Sequence, residues 1–179
     1  MTHLDFVKKY SDVLPNDTCH WLTNTFEDNI GNCIVNNNKV YRFTELNLNK
    51  YYPDRIKPLV DVTRMLFAMY KRDVGYDEFF PKQLALEEFR VKRYNGDTDE
   101  QFGTHVDVGD YSSAKRYLAF IYYLNDGFEG GETTFIPDAF ILPQKGSVVV
   151  FPPTWQYPHA GLPVTEGSKY IMSTYLHYT

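Results

Sequence analysis

Hydrophobic and polar positions change period once along this chain, and that change divides it. Residues 4–14 alternate like an opening strand that ends at Pro15. Asn16 or Asp17 then offers an N-cap for a helix running to about Asp28, with Trp21, Leu22, Thr25 and Phe26 on its apolar stripe. The polar run Asn36-Asn37-Asn38 reads as a turn before a strand over 39–48. Pro53 suits the first turn of a second helix, where its missing N–H costs nothing, and Ile56, Leu59, Val60, Thr63, Phe67 and Tyr70 recur at helical spacing to about Lys71. From Leu84 the pattern becomes β, with strands near 84–94, 102–107, 117–125, 131–136, 139–142, 147–152 and 168–177, broken by Gly, Pro and Asp. Helices followed by many short strands predict an α+β, mainly β fold: two packed sheets with helical buttresses, closed as a jelly roll. One domain over residues 1–179 is expected, with about 1–80 as helical support and flanking strands and about 84–179 as the core.

Composition agrees with a folded β-rich globule. Of 179 residues, 43% are hydrophobic and 17% aromatic, with 15 tyrosines and 13 phenylalanines. The net charge of −5 argues against a general nucleic-acid binder, which needs a basic face. No stretch approaches the roughly 20 apolar residues of a membrane span, and residues 1–9 hold no apolar run of signal-peptide length. The two cysteines, Cys19 and Cys33, read as free thiols of a reducing compartment. A cytoplasmic protein without membrane or nucleic-acid partners is the expectation.

Candidate chemistry gathers between Gly103 and His177. In an extended strand His105 and Asp107, at i and i+2, point to one face while Val106 points away. A third ligand must come from a distant strand, and His159 lies 52 residues beyond Asp107. Two imidazoles and one carboxylate form the facial triad that holds Fe(II) with open positions. Zinc accepts the same ligands with a water in the fourth place. Lys169 tips the reading towards iron, because a cation in an apolar strand implies an anionic partner, here the far carboxylate of a 2-oxo acid chelating the metal.

From about Phe89 to the C-terminus the chain resembles the Fe(II)- and 2-oxoglutarate-dependent dioxygenases of the prolyl 4-hydroxylase type. The resemblance rests on Arg93-Tyr94-Asn95-Gly96, His105-Val106-Asp107, Arg116 with Ile121-Tyr122-Tyr123-Leu124-Asn125, Gly130-Gly131-Glu132-Thr133, Gly146-Ser147-Val148-Val149-Val150-Phe151, and His159 with Lys169. It implies a double-stranded β-helix (jelly-roll) catalytic core. It also implies Fe(II) on His105, Asp107 and His159, with 2-oxoglutarate and O2 as co-substrates and ascorbate as a further requirement. Lys169 would pair with the C5 carboxylate of 2-oxoglutarate, lysine at this place following the collagen-type enzymes. Tyr94 and Tyr123 match phenols that hydrogen-bond 2-oxoglutarate, and Thr133 matches the pocket wall. Arg116 matches an arginine set against the peptide substrate, and Tyr175 stands where relatives often carry tryptophan. The loops 95–104 and 108–115 would gate the substrate.

The implied reaction converts 2-oxoglutarate to succinate and CO2 and hydroxylates an unactivated C–H bond, on a prolyl residue of a protein or peptide. Two rival readings stay open: the same chemistry on a free amino acid, lysyl residue or small metabolite, and a non-catalytic jelly-roll module that binds metal or senses.

Overall fold

The computed structural model describes residues 3–83, 85–137 and 139–179. A 3-10 turn at His3–Phe6 leads to β1 (Lys8–Tyr10), then α1 (Asn16–Asp28), β2 (Ile34–Asn37), β3 (Tyr41–Asn47), the single turn α2 (Leu48–Tyr51) and α3 (Lys57–Val74). The β-rich part follows as β4 (Ala85–Leu86), β5 (Arg90–Asn95), β6 (Gln101–His105), β7 (Arg116–Tyr123), β8 (Glu129–Gly130), β9 (Thr133–Phe135) and β10 (Ala139–Ile141). It ends with β11 (Val148–Phe151), β12 (His159–Gly161), β13 (Val164–Glu166) and β14 (Ser168–His177).

The strands form a continuous antiparallel path, β1-β11-β7-β14-β5-β3-β6-β12-β9-β10, with β2 on β3, β4 on β14, and a separate β8–β13 ribbon. The path folds over on itself, so that β5, β7 and β14 from one part and β6, β9 and β12 from the other line one cavity. This is the expected mainly-β jelly roll with helical buttresses.

Strand alternation sorts side chains into two cores. Leu118, Phe120 and Tyr122 of β7, Val148 and Val150 of β11 and Met172 of β14 pack outward against Leu22 and Phe26 of α1 and Leu66 of α3. Ala119, Tyr123, Val149, Phe151 and Ile171 point the other way, into the cavity-side core with Phe43, Tyr94 and Phe135. One buried hydrogen bond joins the layers, between the hydroxyls of Thr63 and Tyr122 at 2.6 Å.

Several element boundaries differ from the expected ones, each for a local reason. The 4–14 segment is mostly not strand: only Lys8–Tyr10 pairs, with β11, and Asp12 has left-handed φ of 56°. Helix α1 starts at Asn16, but Pro15 occupies the N-cap without a side-chain bond, and the first backbone bond closes from Cys19 N–H to the Pro15 carbonyl. Asn36 and Asn37 belong to β2; the turn sits two residues later, where Asn38 Oδ1 accepts from the amides of Val40 and Tyr41 at 2.8 and 2.9 Å. Pro53 opens only a 3-10 turn, and Pro58 takes the first turn of α3 instead. That helix runs a turn past Lys71 because Gly75, at φ 75°, caps it. Of the strand expected over 84–94, Leu84 lies outside the described residues, and the remainder splits into β4 and β5. Strand β6 stops at His105, so Asp107 lies beyond its end. Strands β8, β12 and β13, two or three residues each, are too short to show a period.

Gly146 shows how tightly the β11 edge is fixed. Its φ is +77°, its carbonyl accepts from Val13 and Leu14, and a Cβ there would lie 2.6 Å from the Leu14 carbonyl oxygen. Gly146→Ala is therefore expected to destabilise the protein by about 2 kcal/mol or more, read from its chemical-denaturation midpoint. A change under about 0.5 kcal/mol, the ordinary surface range, would contradict this.

Candidate active site

The register of two short strands brings the histidines together. In the β6–β12 pair His105 lies directly opposite His159, and their ring centroids are 4.2 Å apart. Aromatic packing fixes both rings. Phe102 stacks on His105 at 3.6 Å with planes 3° apart, while Phe135 and Phe151 flank His159 at 5.6 and 4.7 Å. The Nδ1 atoms face carbonyls of their own segments, Gly103 at 2.9 Å and Tyr157 at 3.1 Å. A carbonyl only accepts, so each Nδ1 donates and each Nε2 presents its lone pair.

Asp107 faces those lone pairs. Its amide donates to the Pro153 carbonyl at 3.1 Å, which turns the chain beyond β6 and aims the carboxylate at the histidines. Oδ1 lies 3.4 Å from His105 Nε2 and Oδ2 lies 3.5 Å from His159 Nε2. Burial would raise the Asp107 pKa, yet the neighbouring His105 and His159 side chains and the Tyr175 hydroxyl together hold it below the ordinary carboxylate range. Burial lowers the His159 pKa and keeps that ring neutral. These are the ligand forms: ionised carboxylate and neutral imidazole.

The residues present fit a metal ion. His105 Nε2 is buried without a hydrogen-bond partner. One potential ligand atom from each of the three residues falls within a set no more than 4.8 Å apart. An ionised, buried carboxylate with both imidazole Nε2 atoms turned towards it is a ready donor set for a cation.

A second layer supports Asp107. The Tyr175 hydroxyl donates to Asp107 Oδ1 at 2.8 Å. The Arg116 guanidinium lies 4.1 Å from the Tyr175 ring centroid and donates to the Asp107 carbonyl at 3.2 Å. Glu87 grips Arg116 bidentately, with Nε and Nη2 each 2.8 Å from its oxygens. Arg116 and Tyr175 thus direct their polar atoms at the site's own residues while still lining the outer groove.

Lys169 occupies the inner end of the cavity on β14. It is buried, its Nζ donates to the Gly131 carbonyl at 2.5 Å, and it lies 5.6 and 5.7 Å from the ring centroids of Tyr94 and Tyr123. Burial pulls its pKa down to about 8. Among the described residues no carboxylate pairs with it. The Tyr123 hydroxyl is spent on Thr133 Oγ1 at 2.7 Å, whereas Tyr94 and Thr133 line the same pocket as Lys169 and the triad. Of the residues expected from the sequence, all but Tyr123 line this cavity or the outer groove; Tyr123 lies behind the wall, with its hydroxyl on Thr133.

Three contributors escaped sequence reasoning: Glu87, Phe102 and Lys92. For Lys92 a signal existed, since Arg90, Lys92 and Tyr94 share one face of β5 and Tyr94 was already placed in the pocket. The groove wall is also unexpected. Phe102 alone from 95–104, and no residue from 108–115, lines the groove, whereas Asn36, Asn38, Lys39, Val40 and Tyr41 of the β2–β3 hairpin do.

Comparison with known proteins agrees with this arrangement. The model of the 2OG-Fe(II) oxygenase superfamily matches residues 89–177, and the chain belongs to that family. It is an Fe(II)- and 2-oxoglutarate-dependent dioxygenase, with O2 as the second co-substrate. A comparison with curated protein sequences finds no match. Among solved structures, the viral collagen prolyl hydroxylase of Paramecium Bursaria Chlorella virus-1 in its 2OG complex superposes with TM-score 0.75 at 21% identity, over 97% of this chain and 96% of that one. A Pseudomonas putida prolyl-4-hydroxylase gives 0.74 at 16% identity, over 96% and 92%. A Trichoplax adhaerens prolyl hydroxylase, in complex with a hypoxia inducible factor oxygen degradation domain peptide fragment, gives 0.75 at 13% identity, over 97% and 84%. Among the described residues no helix is long and apolar enough to cross a membrane.

Tyr175→Phe keeps the ring under Arg116 and removes only the bond to Asp107. It is expected to weaken Mn(II) or Fe(II) binding by about 10- to 100-fold, the usual effect of losing a ligand's supporting hydrogen bond, in a direct metal titration. Unchanged affinity would show that Asp107 needs no such support.

Proposed function

We propose that this dioxygenase hydroxylates a prolyl residue of a protein or peptide, with His105, Asp107 and His159 holding Fe(II) and Lys169 seating 2-oxoglutarate. The observation that carries the reading is the pairing of the triad with a buried, carboxylate-free ammonium at the inner end of the same cavity. When bound, Fe(II), 2-oxoglutarate and O2 together would supply the oxidant, one oxygen atom ending in succinate as CO2 leaves and the other in the hydroxylated C–H bond. The chain's own part is binding, orientation and exclusion of water. Lys169 provides the charge for the C5 carboxylate, the Tyr94 and Tyr123 rings flank its ammonium, and Thr133 closes the wall. Asp107, steadied by Tyr175 and Arg116, keeps one face of the metal committed to protein.

A peptide is favoured over a free amino acid by the outer groove, a cavity of about 650 Å³ that runs from the triad to the β2–β3 hairpin. An amino acid would call for a closed pocket. The prolyl hydroxylases among the structural neighbours support the choice of proline. The helices before β4 would act as a buttress within one domain, a reading supported by the core that Leu22, Phe26 and Leu66 share with Leu118 and Phe120. The free thiols Cys19 and Cys33 support a reducing, cytoplasmic setting. A requirement for ascorbate rests on the family resemblance alone.

Succinate release, followed with proline-containing peptides and with free amino acids, tests the substrate class. Stimulation by peptides alone is expected, and stimulation by free proline alone would move the reading to a metabolite enzyme. Asp107→Ala should abolish 2-oxoglutarate turnover; a variant that keeps most of it would remove Asp107 from the metal.

The lysine makes a pH prediction. Its pKa is lowered to about 8, so the charged form is lost as pH rises through that value. Affinity for 2-oxoglutarate, measured in Mn(II)-loaded protein, should be flat below pH 8 and fall by about tenfold per unit above it. Lys169→Arg should abolish that fall. A flat profile to pH 9.5 in the wild type would contradict the assignment.

A further inference from the structure

Lys169 is not the only buried ammonium. Lys92 lies on β5 two residues before Tyr94 and on the same face, and it is only 8% exposed. Its Nζ lies 5.0 Å from the Phe43 ring centroid and 5.8 Å from that of Phe102. Among the described residues it has no hydrogen bond and no ion pair. It lines both the inner pocket with the triad and the outer groove, whereas Lys169 lines the inner pocket alone. Lys92 therefore stands where the two spaces meet.

Neighbouring charges do not satisfy it. Glu45 is its cross-strand partner, yet that carboxylate receives Arg90 Nη1 at 2.8 Å. Glu88 is also held by Arg90, at 2.6 Å, and Glu87 by Arg116. The Asp107 oxygens face the two histidines. Thus the two groove arginines are paired with glutamates, while the more deeply buried lysine has no ion pair of its own and feels Glu45 and Asp107 only from beyond ion-pair distance. A buried ammonium without an anion is costly, and burial accordingly pulls its pKa down. The rings of Phe43 and Phe102 offset part of that cost and leave its front open to the groove.

We propose that Lys92 is a specificity-determining residue that takes a carboxylate carried by the substrate, so that the enzyme selects acidic substrates. This rests on the peptide-hydroxylase reading above. The carboxylate has two sources, an acidic side chain next to the hydroxylated residue or the α-carboxylate of a C-terminal one. Either would lie in the groove with its charge at Lys92 and its reacting carbon towards the triad. The co-substrate is assigned to the inner lysine, which leaves the lysine at the junction for the substrate.

Matched peptides separate the sources. N-acetyl-Ala-Pro-Glu-amide against its Gln counterpart tests the side chain, and N-acetyl-Ala-Pro as free acid against its amide tests the terminus. Binding to Mn(II)- and 2-oxoglutarate-loaded protein is measured by calorimetry. One arm is expected to show a preference of about 10- to 100-fold for the carboxylate, as for a buried charge-assisted hydrogen bond, falling to about twofold or less in Lys92→Met. Should that variant fail to fold, the lysine ε-methylene resonances of the wild type, loaded with diamagnetic Zn(II) in place of Mn(II), serve instead, and one should shift with the carboxylate peptide and not with the amide. No preference in either arm overturns the proposal, as does a preference that survives in Lys92→Met. Weakened 2-oxoglutarate binding in that variant with the preference intact would overturn it too, by assigning the ammonium to the co-substrate. Hydroxyproline detection by mass spectrometry on the same peptides reports separately on the prolyl reading, and peptide-free succinate release by the wild type reports on the oxygenase itself.

Discussion

The convergence of Asp107 with the two histidines is the constraint around which the site is built. The Nε2 atoms of His105 and His159 lie 3.4 and 3.5 Å from the two oxygens of an ionised carboxylate, in a place from which water is largely excluded. The cluster is held from behind: Nδ1 bonds to Gly103 and Tyr157, stacked Phe102, flanking Phe135 and Phe151, and the Tyr175 hydroxyl on Asp107. A divalent cation would find its ligand atoms already gathered, which is the sense in which these residues are preorganised for metal.

Around that centre the cavity carries its positive charge at two depths. Lys169 lies at the inner end, against Gly131 and between two tyrosine rings, and Lys92 lies at the junction with the groove between two phenylalanines. The arginines of the groove differ from both in being paired already, Arg90 with Glu45 and Glu88, and Arg116 with Glu87. Paired arginines shape the wall, whereas unpaired buried lysines await anions. The jelly roll makes this possible because its alternate residues face inward, so that strands distant in sequence can each contribute one group.

How much of this the sequence reveals depends on how local each signal is. His105, Asp107, His159 and Lys169 were legible because residue type and order point to one chemistry, and helices α1 and α3 because apolar positions repeat over several turns. The reason that His105 and Asp107 converge was only half legible. Asp107 lies past the end of β6 and is aimed by its amide bond to the Pro153 carbonyl, a contact 46 residues away along the chain. Strand β12 carries His159 in three residues, too few for a period, and it exists only because β6 and β9 flank it. Arg116 illustrates a different limit. The sequence shows an arginine of the right kind in the right place, but its partner Glu87 is fixed by tertiary packing alone.

The central claim is that the triad and Lys169 form one site for Fe(II) and 2-oxoglutarate. Anaerobic titration of the protein with Fe(II) and then 2-oxoglutarate, followed by visible absorption, tests it most directly. A weak charge-transfer band is predicted for the wild type, absent when Zn(II) replaces Fe(II) and lost in Lys169→Ala at low 2-oxoglutarate. A folded protein that binds Fe(II) yet gives no band at saturating 2-oxoglutarate would contradict the account.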